Sequence, residues 1–213
     1  RRYGLGDYRT AAGVPGTITA GGQRLGIPDG QDGTALEPGA LIAGQVNVSD
    51  RYAGADILPR QARHAVFANF AQGIGANVEL HGQALFGDRR YDVRRPTSRN
   101  ALTLTVPVTN PFYVDPLGTN QPVQVAYNFL NDIGPESGRG YSEAVGASLG
   151  ADVQLRSWTV TLGANYGQQR DGLTVYNLVN TARAAVALAD TDPASALNLF
   201  GDGSANNPAT TTS

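Results

Sequence analysis

His64 and His81 are the only histidines of this 213-residue chain. They lie on opposite arms of a turn and match no metal-ligand spacing, so the plainer reading of each is an interfacial or wall-lining side chain. Asp202, Ser204 and Asn206 have the one-three-five spacing of the first ligands of a calcium loop. Asn207 stands where that loop needs glycine, however, and Ser213 stands where it needs a bidentate glutamate. The stretch PDGQDG around Asp29 and Asp32 departs from the pattern as well, and turn chemistry accounts for both. Arg89, Arg90, Arg94 and Arg95, interleaved with Tyr91, form the one dense basic cluster. Such a cluster could hold an anionic ligand. The plainer account is a solvated strand extension balanced by Asp88 and Asp92.

Other chemistries are excluded or unsupported. The chain has no cysteine, which removes disulfides, thiolate catalysis and cysteine-ligated metals. It has no Gly-x-Ser-x-Gly and no Gly-x-Gly-x-x-Gly after a strand, so neither a serine nucleophile nor a nucleotide loop is indicated. No catalytic residue, metal or cofactor is therefore expected, and the chain is read as not an enzyme. A net charge of -2 leaves no basic stripe for a polyanion, so nucleic acid is not an expected partner.

The elements that position these residues are strands. In SEAVGASLGADVQLRSWTVTLGANYGQQ, residues 142–169, Val145, Ala147, Leu149, Ala151, Val153 and Leu155 are apolar, while their neighbours are small or polar. After Arg156-Ser157 the alternation resumes, with Trp158, Val160, Leu162, Ala164 and Tyr166 on one parity. A second pair puts Val66, Ala68 and Phe70 on one face. After QGIGAN, that face continues with Val78, Leu80, Gly82, Ala84 and Phe86. A period of two is the signature of a strand with unlike faces. The expected organisation is a loop region at 1–62, a hairpin at 63–87, a loop with β extension at 88–140, a hairpin at 141–168, and a loop at 169–213. A short helix is expected near 179–189, where VNTARAAVALA is alanine-rich.

Two features separate these hairpins from an ordinary soluble sheet. The inward parity carries mostly Gly, Ser, Thr, Asn and Gln, with Glu79, His81, Gln83 and Leu85 in the first hairpin, and no charged residue interrupts the apolar parity from Val66 to Phe86 or from Val145 to Tyr166. The connections are also asymmetric, very short on one side and long on the other. In hydrocarbon every backbone polar group must be paired, so β structure spans a membrane only as a closed barrel with an apolar exterior. No run approaches 18 apolar residues, so a membrane-spanning helix is excluded. The expected fold class is all-β, an antiparallel segment of a transmembrane β-barrel with long irregular loops. Phe70, Phe86, Trp158 and Tyr166 are its candidate membrane-girdle aromatics. Tyr52, Arg89, Arg90, Tyr91, Phe112, Tyr113 and Tyr176 are candidate ligand contacts. Outer-leaflet lipid and lipopolysaccharide, with its acidic sugars and phosphates, are the partners such a wall would meet.

The segment LPRQARHAVFANFAQGIGANVELHGQALFGDRRYDVR resembles a barrel hairpin of TonB-dependent outer-membrane receptors. TLTVPVTNPFYVDPLG, with Asn110-Pro111-Phe112, is similar to a recurrent loop segment of the long-looped proteobacterial group. VAYNFLNDIGP and DPASALNLFGDGSANNP are similar too, though less distinctive. The resemblance implies a 22-stranded barrel with an internal plug, importing a scarce small-molecule nutrient with energy supplied through TonB. It implies a Gram-negative outer membrane with the loops extracellular. The chain departs from that pattern in lacking plug sequence and having too few strands to close a wide barrel. With its start at RRYGLGDY, it is read as a mature or internal piece of a longer product. Two rival readings are a secreted or surface-exposed β-rich structural or adhesive protein, and a glycan-binding or glycan-active domain. Detergent dependence discriminates between the barrel and both rivals.

Overall fold

The computed structural model describes Asp7 and residues 9–212; the rest of the opening RRYGLGDY and Ser213 lie outside the described residues. In chain order the strands are β1 (Thr17–Ala20), β2 (Gln23–Gly26), β3 (Ile42–Ala43), β4 (Arg60–Ile74), β5 (Val78–Arg94), β6 (Ala101–Val106), β7 (Val123–Asn128), β8 (Ser137–Leu155) and β9 (Trp158–Tyr176). The α-helices are α1 (Leu130–Ile133), α2 (Thr181–Ala189) and α3 (Pro208–Thr212). Strands dominate and pair antiparallel, as the tight turns require, and α2 falls where the alanine-rich run predicts a helix. The strands form two separate sheets, ordered β3-β2-β1-β7-β6 and β4-β5-β8-β9, and among the described residues neither closes into a barrel.

The chain divides into two compact units. A strand unit comprises Ile57–Val93 and Gly138–Val175; a loop unit comprises Arg1–Asp56, Arg94–Ser137 and Tyr176–Ser213.

The strand unit is two long hairpins side by side. Gly75, at φ 65°, turns β4 into β5, and Arg156, at φ 54°, turns β8 into β9. Both residues are in the left-handed region that tight turns use. The β4–β5 register is unbroken from Arg60↔Asp92 to Ile74↔Val78. Strand pairing therefore runs well past the expected hairpin limits of 63–87 and 141–168. DRRYDVRR continues β5, in keeping with a solvated strand extension, and NDIGPESGRG enters β8 at Ser137. Charge does not end a strand where both faces can be solvated, because the ladder bonds are backbone bonds and persist.

The loop unit overturns the expectation of irregular loops. Two of its three stretches, far apart in sequence, build a five-stranded sheet, and the third adds α2 and α3; together they bury a shared core of Ile18, Ile27, Val106, Val125, Tyr127, Leu188, Leu199 and Phe200, all fully or almost fully buried. The register aligns Ile18 with Leu25 and Val125, and Leu104 with Val125. Tyr127 meets Phe129 edge-to-face at 5.0 Å, a geometry that adds to area burial. Strands β1 and β2 have four residues each, too short for periodicity to register against the surrounding Gly and Pro.

Candidate functional site

Alternation sorts the strand unit into an apolar and a polar face. The β4–β5 register places Val66 beside Phe86, Ala68 beside Ala84 and Phe70 beside Gly82 on one face. On the other face, His81 lies against Gly150, Leu85 against Gly146, and Tyr91 against Gly140. The even residues of β8 therefore share the polar face, and Val145, Leu149 and Val153 share the apolar one. Thr161 Oγ donates to Asp152 Oδ1 at 2.6 Å on the polar face, and Tyr141 lies over Gly172 on the apolar face. These contacts assign Trp158, Val160, Leu162 and Tyr166 to the apolar face. The glycines are needed there: a Cβ at Gly140, Gly150 or Gly172 would overlap the ring laid across it.

The apolar face is open. Leu149 is 58% exposed, Leu162 61% and Trp158 74%. On each strand the belt spans eight residue steps: 66 to 74, 78 to 86, 145 to 153 and 158 to 166. At about 3.3 Å per step and a tilt near 45°, that is roughly 19 Å of height. The polar exception is Gln72, whose side-chain amide donates to Gly73 O at 3.0 Å. Beyond the belt the same face becomes charged on every strand, at Arg60, Asp88, Glu143 and Arg170. A soluble monomer rarely exposes an apolar patch beyond a few hundred Å². This patch extends across four strands with nothing packed on it among the described residues.

The basic cluster expected from DRRYDVRR does not exist as a cluster. Alternation sends Arg90 to the apolar face, 3.5 Å from Asp88, and Arg89 and Tyr91 to the polar face, where the guanidinium stacks on the ring at 5.0 Å. Arg94 pairs with Asp56 at 2.8 Å, and hydrogen bonds from Arg94 hold the Asp56 carboxyl below its ordinary range. Arg95 and Arg99 both face the buried Glu136. Arg89 and Tyr91 meet Gln169 and Asp171 around a concavity of about 500 Å³ on the polar face. Tyr91 also lines a second concavity, of about 900 Å³, together with Arg90.

The remaining candidates scatter. Phe112 and Tyr113 pack against the loop-unit core. The Tyr113 hydroxyl donates to Gln121 O at 2.6 Å, and burial next to Asp115 raises its pKa. Tyr52 is exposed beneath the Arg51 guanidinium at 4.8 Å, and Tyr176 is exposed at the end of β9. Of the girdle candidates, Trp158 stands at the turn end of the belt, and Phe86 and Tyr166 stand at its far end. Phe70 falls mid-belt, paired with Gly82.

Sequence reasoning missed the polar fastenings of the loop unit. Asn47 donates to the carbonyls of Gly16 (2.9 Å) and Ile27 (2.7 Å). Asn110 donates to those of Leu188 and Leu197 at 3.0 and 3.1 Å. Asn100 donates to Asn177 O at 2.7 Å. Each amide binds backbone carbonyls that lie outside the strands. A surplus of Asn near Gly and Pro was the available signal, but it reads equally well as surface turns. Tyr127 donates to Asp132 at 2.9 Å, and Asn206 donates to the carboxyl's other oxygen at 2.6 Å. Burial raises the pKa of both Asp132 and Tyr127. Asp202 accepts from the Ser204 amide at 3.0 Å, as in a turn, and Asn206 is engaged with Asp132; Ser213 lies outside the described residues. Among the described residues no group of acidic, His or Cys side chains could hold a metal, and no helix is long and apolar enough to cross a membrane.

The chain matches no protein-family model and no curated protein.

Proposed function

We propose that this chain is the wall and loop portion of an outer-membrane β-barrel receptor that takes up a small nutrient by binding and gating, without catalysis. The observation that carries the reading is the open apolar face, eight residue steps long on each of four neighbouring strands and ending in charge on all of them. Water is a poor solvent for that face, and a bilayer is a good one. The edge strands β4 and β9 would pair with further strands, since unpaired edges are not tolerated in hydrocarbon. The polar face, with Arg89, Tyr91, Gln169 and Asp171, would line the lumen. The long segments leave the strands at the ends opposite the turns, which fits extracellular loops over short periplasmic turns. Energy coupling through TonB would use a plug portion outside this sequence.

Trp158 tests the wall. It is the only tryptophan of the chain, so the emission difference between wild type and Trp158→Phe isolates its signal. In bilayers with brominated acyl chains that signal is expected to be strongly quenched. Unquenched emission from a protein that stays in solution without detergent would put the soluble surface-protein reading in its place.

A further inference from the structure

The charged rim of the apolar face is assembled from all four strands of the unit. Arg60 comes from β4, Arg90 from β5, Arg139 from β8 and Arg170 from β9, and together they line a concavity of about 900 Å³. The β4–β5 register pairs Arg60 with Asp92 and Ala62 with Arg90, and parity places Arg139, Tyr141 and Arg170 on the same face. Four guanidinium groups meet only two carboxylates in that lining, Asp92 and Glu143. Arg139 is held by Asp92 at 3.1 Å and Arg90 by Asp88 at 3.5 Å. Among the described residues Arg60 and Arg170 are in no ion pair. The side chains of Arg90 and Arg139 remain 73% and 70% exposed.

We infer that this rim binds the phosphate groups of an anionic membrane lipid whose acyl chains lie on the belt below. The inference rests on the barrel reading, because only there does this face meet lipid. Charge complementarity selects the occupant. Guanidinium forks bind phosphate bidentately and bring little desolvation penalty, and basic side chains just beyond a hydrocarbon boundary are where headgroup phosphates lie. The carboxylates hold Arg90 and Arg139 in place. The belt supplies the second half of the recognition, since Phe86 and Val145 adjoin the rim on the same face. A free phosphate could use the arginines but not the belt, and a nutrient ligand inside a lumen would reach neither.

The test uses the native protein carrying this sequence, extracted from its membrane in mild detergent, with co-purified phospholipid and glycolipid measured by native mass spectrometry. Each Arg→Gln change should weaken retention about fivefold, and Arg60→Gln, Arg90→Gln and Arg170→Gln together on the order of a hundredfold. Arg89→Gln, on the opposite face, should leave retention unchanged. Equal retention by the triple variant and wild type overturns the inference while leaving the barrel intact. An equal loss in Arg89→Gln also overturns it. Displacement of the lipid by millimolar inorganic phosphate would mean that the rim binds phosphate alone. Recovery of the protein without detergent would instead remove the barrel reading itself.

Discussion

Leu149 and Phe200 are both large apolar side chains, yet the structure treats them in opposite ways. Phe200 is fully buried in the loop unit, at 0% exposure; Leu149 stands 58% exposed in the middle of the strand unit's belt. The loop unit solves the folding problem as soluble domains do, gathering apolar groups from three distant segments and fastening the intervening backbone with asparagine amides. The strand unit has a four-stranded ladder with two open edges and no buried apolar core among the described residues. On the proposed reading, an apolar medium that meets the belt supplies the burial the unit lacks. The same hydrophobic effect acts on both units and differs only in what covers the apolar surface.

The largest effect that would separate the units is expected from Phe200→Ala. Emptying that site should cost about 3–5 kcal/mol. Hydrogen exchange should then show β1, β6 and β7 losing protection while β4, β5, β8 and β9 keep theirs. Joint loss of protection would make the two units one cooperative structure.

Leu149→Arg probes the other side of the contrast. In a bilayer, arginine at mid-belt should destabilise by about 2–4 kcal/mol, read as a lower denaturant midpoint for the native protein in lipid. A neutral outcome would mean that the belt faces water.

A smaller effect sharpens the account of the loop unit through pH. Burial raises the pKa of Asp132 in the fold, so the folded chain holds that proton more tightly than the unfolded one. The resulting stability is present below the ordinary carboxylate range and is lost as pH rises through the raised folded value. Denaturation midpoints measured across that window should fall for wild type and stay flatter for Asp132→Asn. Parallel curves would show that the Tyr127–Asp132–Asn206 arrangement does not titrate with folding.

The belt was legible in the sequence because alternation is local: Val145 to Val153 and Trp158 to Tyr166 declare their faces without any knowledge of their neighbours. The helix at Thr181–Ala189 was legible too, because its alanine-rich run is equally local. The loop-unit core was not, because Ile18, Val125 and Phe200 lie in short pieces whose burial depends on each other. Polar fastenings such as Asn110 look like turn residues until the carbonyls they bind are in place.

By itself, then, the sequence determined the four long hairpin strands, their faces, the tight turns and the absence of cysteine chemistry, since each depends on neighbours a few residues away. The tertiary structure alone decided which arginines stand together. Alternation along the strand already parts adjacent Arg89 and Arg90 to opposite faces; what stands beside each is set by the neighbouring strands. Arg60, Arg90, Arg139 and Arg170 converge because ladder pairing brings four strands into register, and pairing across that span is set by the fold as a whole.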